Sequence, residues 1–99
     1  MGLVLLRNAR FPILALQIDA TLDLGMLHLC IPQRVCDRLQ LETVADKEVT
    51  FADGSKRRVP YAGPIEMRFG GSVAFAGALV TGDQVVLGII PLQALELAQ

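Results

Sequence analysis

Only two cysteines and one histidine occur in the 99 residues. Cys30 and Cys36 supply no disulfide framework, and together with His28 they fall short of the four ligands of a structural zinc site. No metal or cofactor is therefore expected, and both cysteines read as small core hydrophobes. Charge is scarce as well. Nine basic and ten acidic side chains, scattered rather than blocked, leave a net charge of -1, so the footprint of a nucleic-acid binder is missing. Lys56-Arg57-Arg58 is the single basic cluster, and beside a turn it reads as a solvated edge in preference to a contact for an acidic partner. No apolar run reaches membrane-spanning length: Arg7 and Arg10 cut off the opening Met1–Leu6 stretch, which is also too short for a signal peptide core. A nucleic-acid or membrane partner is thus not expected, and the cytoplasm is the expected compartment. Linkers, repeats and low-complexity tracts are also lacking.

What the chain does have is apolar side chains, 53% of the total, in a length that buries one core and not two. A single domain spanning residues 1–99 follows. So high an apolar share suggests that part of the surface is covered by a partner, and a second copy is the simplest cover.

Short runs of Val, Ile, Leu and Phe recur between turn signals, and helical spacing is confined to two segments, so the body is expected to be mostly β. Leu3–Leu6 and Ile13–Leu22 read as the first strands, with Asn8 and Pro12 bracketing their connection. After an apolar run from Leu27 to Ile31, Pro32 opens a short helix reaching about Leu41, with Val35 and Leu39 four apart on one face. Glu48–Ala52 and Lys56–Tyr61 flank Asp53-Gly54, a dipeptide that supplies the positive φ of a tight hairpin. A second hairpin alternates through Ile65, Met67 and Phe69, turns at Gly70-Gly71 and resumes at Val73 and Phe75. Val85–Gly88 reads as a strand buried on both sides, and Pro91–Ala98 as a closing helix.

Asp23 stands out chemically. Ala20-Thr21-Leu22 precede it and Leu24-Gly25-Met26 follow, and a carboxylate in such surroundings is costly unless it is paired or hydrogen-bonded. Gly25 permits a sharp turn there. The other acids have plainer readings: Asp19 as an outward strand position and Asp53 as turn chemistry. His28, between Leu27 and Leu29, reads as a packed or surface residue. Asp23 itself also admits a structural role, as a strand-end acid accepting backbone N–H bonds.

A strand delivering one acid to a Gly turn, then a hairpin tip about thirty residues on, then an apolar-apolar-Gly segment, resembles the retroviral-type (retropepsin-like) aspartic proteases. Asp23-Leu24-Gly25 falls at the family's catalytic turn, Ala52-Asp53-Gly54-Ser55 at its flap tip, and Val86-Leu87-Gly88 at its hydrophobic-hydrophobic-Gly segment. Leu27-His28-Leu29-Cys30-Ile31-Pro32 resembles bacterial clan AA aspartyl-protease-like proteins. The likeness covers nearly the whole chain. It implies a small closed β-barrel of the acid-protease type with one or two short helices. It further implies a homodimer in which paired Asp23 carboxylates activate a water against an extended polypeptide, with no metal or cofactor. Leu24 departs from the family's Thr or Ser and brings no hydroxyl to hold the two acids in register. No strand is expected after the closing helix, where retroviral enzymes interleave one at the dimer interface. The second expectation is therefore a catalytically inactive barrel of the same type, serving as a dimerisation or peptide-binding module.

Overall fold

The structure, a computed structural model, describes residues 2–51 and 53–95. In chain order the elements are β1 (Leu3–Asn8), β2 (Ala15–Leu22), β3 (Leu29–Ile31), α1 (Gln33–Arg38), β4 (Glu42–Thr50), β5 (Lys56–Phe69), β6 (Ser72–Val80), β7 (Val85–Leu87) and α2 (Ile89–Ala94). The domain is mainly β. Its strands join in the order β1-β2-β7-β3-β6-β5-β4, and a further β1–β5 pairing closes six of them into a barrel with β4 outside on β5.

The closure depends on β5 changing partners. Its first half pairs with β4 from Lys56 to Gly63, and its second half pairs with β1 from Ile65 to Arg68, with β6 along its other side. The β5–β6 register shifts between Ala62 and Ile65, the place where Gly63-Pro64 interrupts the ladder. The sequence reading splits this segment into two strands; the structure runs them together as one bent strand. Strand β4 begins at Glu42, six residues before the expected Glu48, through its pairing with β5; its exposed stretch from Glu42 to Asp46 carries no apolar alternation to mark it.

Alternation elsewhere sets the core. Val4 and Leu6 on β1 and Ile65 and Met67 on β5 point inward, meeting Leu29 and Ile31 of β3 and Leu87 of β7. Across the second hairpin the alternation flips. A two-residue turn pairs Phe69 with Ser72, which places Val73 opposite Arg68 and Phe75 opposite Glu66. Ala74 and Ala78 therefore face inward, while Val73 and Phe75 are exposed. Gly70, with φ of 58°, supplies the positive φ of that turn.

Helix α1 is shorter than expected. Pro32 caps α1 instead of opening it, and the helix packs Val35, Cys36 and Leu39 onto the barrel. Helix α2 starts at Ile89, two residues before Pro91, and anchors through Leu92 and Leu95; the rest of the expected helix lies outside the described residues. Strand β2 starts at Ala15 rather than Ile13; β3 starts at Leu29 rather than Leu27, because Met26, Leu27 and His28 give their carbonyls to residues 88–90. Among the described residues, no helix is long and apolar enough to cross a membrane.

One buried polar side chain ties these parts together. Asn8 donates from Nδ2 to the Leu39 carbonyl at 2.9 Å, and its Oδ1 accepts the N–H groups of Arg10 at 2.9 Å and Phe11 at 3.2 Å. The β1–β2 connection is thereby fastened to the end of α1.

Candidate active site

Strands β2 and β3 follow one another in sequence but are not neighbours. Strand β7 lies between them, parallel to β2 (Leu22 beside Leu87) and antiparallel to β3 (Cys30 beside Val86). The loop linking β2 to β3, which begins at Asp23, must therefore arch over the end of β7. Backbone bonds fix it there: Asp23 N–H donates to the Leu87 carbonyl at 3.1 Å. Returning bonds run from Gly88 N–H to His28 O at 3.1 Å, Ile89 N–H to Met26 O at 2.9 Å, and Ile90 N–H to Leu27 O at 2.9 Å. First-turn N–H groups of a helix lack partners within it, and here the Asp23 loop supplies them.

Gly88 makes this closeness possible, since a Cβ there would stand nearer than 3.0 Å to the Met26 and His28 carbonyl oxygens. Val86 and Leu87 deliver the chain to that point, with Leu87 buried and Val86 half-buried toward the cavity beside Asp23.

Asp23 is exposed at the start of the loop. Its Oδ1 accepts the Gly25 N–H at 2.9 Å, and its backbone carbonyl accepts Met26 N–H at 3.1 Å. Gly25 does not have φ in the left-handed region, and a Cβ there would sit 3.2 Å from Asp23 Oδ1, close enough that the carboxylate would have to shift by a few tenths of an ångström. Leu22 and Leu24 flanking the acid in sequence, Leu27 further along its loop and Ile90, bonded to Leu27, are 46%, 68%, 51% and 43% exposed, apolar surface that the barrel leaves uncovered.

Two adjoining hollows, of about 310 and about 410 Å³, share Asp23, Met26 and Phe51. The first is floored by Cys30 and Val86 and bounded by Phe51 and Arg57 of the β4–β5 hairpin and by Thr81–Gln84. Beneath it a small second core forms from Cys30, Val59 and Leu79. Burial, reinforced by the negative charge of Asp23, pushes the Cys30 thiol up to about 11, so at neutral pH it is protonated and poorly nucleophilic. The second hollow adds Gly25 and Thr50.

The hairpin tip behaves as turn chemistry dictates. Gly54 has φ of 86°, Asp53 Oδ1 accepts the Ser55 N–H at 2.9 Å and the Ser55 hydroxyl at 2.6 Å, and these bonds hold the Asp53 carboxyl below its ordinary range. Ala52 lies outside the described residues. It is Phe51 and Arg57 at the base of the tip, rather than Asp53, Gly54 or Ser55, that line the hollows with Asp23. Phe51 escapes the sequence reading, and Arg57 enters it only within the Lys56-Arg57-Arg58 edge, although a signal exists: Arg57 sits two residues before buried Val59 and opposite Val49, on the side that borders the hollow.

His28 packs its ring edge-on to Tyr61, centroids 6.2 Å apart, and Lys47 lies 4.1 Å over the same Tyr61 ring. Burial first, then the Lys47 charge, lowers the His28 pKa from 6.5. Asp19 is an exposed position of β2. Among the described residues, no three His, Cys, Asp or Glu side chains gather where they could hold a metal ion. No protein-family model matches the chain, and a search of curated proteins finds no match either.

Proposed function

We propose that the protein is an aspartic endopeptidase that acts as a homodimer on extended polypeptide, with paired Asp23 carboxylates activating a water. The observation that carries this reading is the position of Asp23. It stands where two hollows meet, beside the β4–β5 hairpin, on a loop locked by β7 and Gly88. A rigid, solvent-reached carboxylate in a groove is what general acid–base chemistry requires, and one such group is only half of what hydrolysis of an amide needs.

A second copy supplies the other half. Leu22, Leu24, Leu27 and Ile90, on the Asp23 loop and the segments next to it, expose apolar surface of the kind that a two-fold interface buries. Two carboxylates brought together there share one proton, because like charges at close range do not both ionise near neutrality. The ionised member draws a proton from the water, and the protonated member donates to the scissile carbonyl oxygen. The chain of the substrate lies extended along the groove, against the β4–β5 hairpin. Two free, buried cysteines suit a reducing compartment such as the cytoplasm.

Leu24 favours a second reading, in which the same retropepsin-like barrel is catalytically inactive and serves as a dimerisation or peptide-binding module. An exposed leucine in the acid's turn brings no hydroxyl to hold two turns in register, and catalysis needs positioning within roughly 0.5 Å. Cleavage of an unfolded protein by wild type and Asp23→Asn, from about pH 4 to 7, separates the two. The protease reading expects products from wild type alone, most abundant at mildly acidic pH; identical traces from both proteins leave the binding module.

A further inference from the structure

Arg57 is the one cation among the described residues that line the hollow next to Asp23. Its guanidinium carbon lies 4.4 Å from the centre of the Phe51 ring, a cation–π contact that keeps the group beside the cavity wall. Its cross-strand pairing with Val49 and its two-residue offset from buried Val59 put it on the side of the hairpin that borders the hollow, although, like Lys56 and Arg58, it is exposed. No described carboxylate stands within 4.0 Å of it; the ion pairs present are Arg7–Glu66, Arg10–Glu42 and Arg68–Glu66. Arg57 is exposed and acts on the Asp53 carboxylate only through space, and no described acceptor bonds its guanidinium, so its donors are open to an incoming acceptor.

The remaining surfaces narrow what that acceptor is. Met26, Cys30 and Val86 offer apolar surface for a short methylene stem, and about 310 Å³ admits one side chain of moderate size. Asp83 reaches the same hollow from the β6–β7 loop and repels an anion on its side, which leaves the Phe51–Arg57 wall as the place for negative charge. We infer that Arg57 is a specificity residue that selects polypeptides bearing a glutamate or aspartate side chain beside the residue at Asp23. This rests on the groove being a peptide site, and it names the class of peptide.

The test separates binding from cleavage. Immobilised Asp23→Asn protein, in which the Asn oxygen can still accept the Gly25 N–H, is exposed to a randomised octapeptide library, and retained peptides are sequenced. Charge-assisted bonds to a guanidinium correspond to an acid-over-amide enrichment of about tenfold at one position, falling away in high salt. The double variant Asp23→Asn/Arg57→Gln is expected to lose that enrichment while still retaining apolar peptides. Acidic residues at their input frequency, an enrichment that survives Arg57→Gln, or no retained peptide at all would each overturn the assignment. Digestion of the same library by wild type scores the protease reading independently, since acid selection by the Asp23→Asn protein stands whether or not wild type cuts.

Discussion

Gly88 donates its N–H to the His28 carbonyl at 3.1 Å and has no room for a side chain on that side. The last glycine of the Val86-Leu87-Gly88 segment is thus the seat on which the Asp23 loop rests. Gly88→Ala must push two backbone carbonyls aside, and overpacking of that kind costs about 1–3 kcal/mol. Urea unfolding is expected to show that loss, and any cleavage activity should fall further than stability does because the displaced loop carries Asp23. An alanine variant as stable as wild type would mean that the loop and β7 are not in contact.

Asn8 gives a second stability test. Asn8→Ala removes partners from the Leu39 carbonyl and from the N–H groups of Arg10 and Phe11 in a buried place, a loss of about 1–3 kcal/mol. A shift in the urea midpoint with an unchanged slope is the expected signature. No shift would show those groups to be reached by water.

His28 makes stability depend on pH in a known direction. The fold favours its neutral form, so as pH falls below 6.5 the unfolded chain takes up the proton first, and stability present above that pH is lost toward the lower folded-state pKa. Thermal unfolding of wild type compared with His28→Gln over this range should show a steeper acid decline in wild type. Parallel curves would remove His28 from the account.

Leu24 is exposed enough to be exchanged without touching the core, so Leu24→Thr should leave monomer stability within about 0.5 kcal/mol. On the proposed protease reading, the added hydroxyl is expected to raise turnover and tighten the dimer. An unchanged rate and association constant would show that the missing hydroxyl is not what limits this turn.

Much of this arrangement is legible in the residues themselves. Asp53-Gly54 and Gly70-Gly71 announce their hairpins, because glycine tolerates positive φ at little cost, and Val35 and Leu39 announce α1 by their spacing. The partner change of β5 is hidden, since local alternation says nothing about which strand lies alongside. So is the exposed half of β4, where both faces from Glu42 to Asp46 are wet. Asp23 can be singled out as an acid in an apolar stretch, whereas Arg57 is masked by its basic neighbours until strand parity relative to Val59 is worked out. The insertion of β7 between β2 and β3 joins residues more than sixty positions apart, such as Thr21 and Gln84, whose side chains bond at 3.2 Å. No short-range pattern encodes that contact.

Mixing of subunits tests most directly whether two copies of Asp23 act as one site. Wild type is held at fixed concentration and Asp23→Asn protein is added in growing excess, with peptide cleavage as the readout. If each working dimer needs both carboxylates, a ninefold excess should reduce cleavage about tenfold, as wild-type chains are drawn into mixed pairs. Cleavage that stays constant throughout the titration would contradict a shared site and assign the chemistry to a single chain.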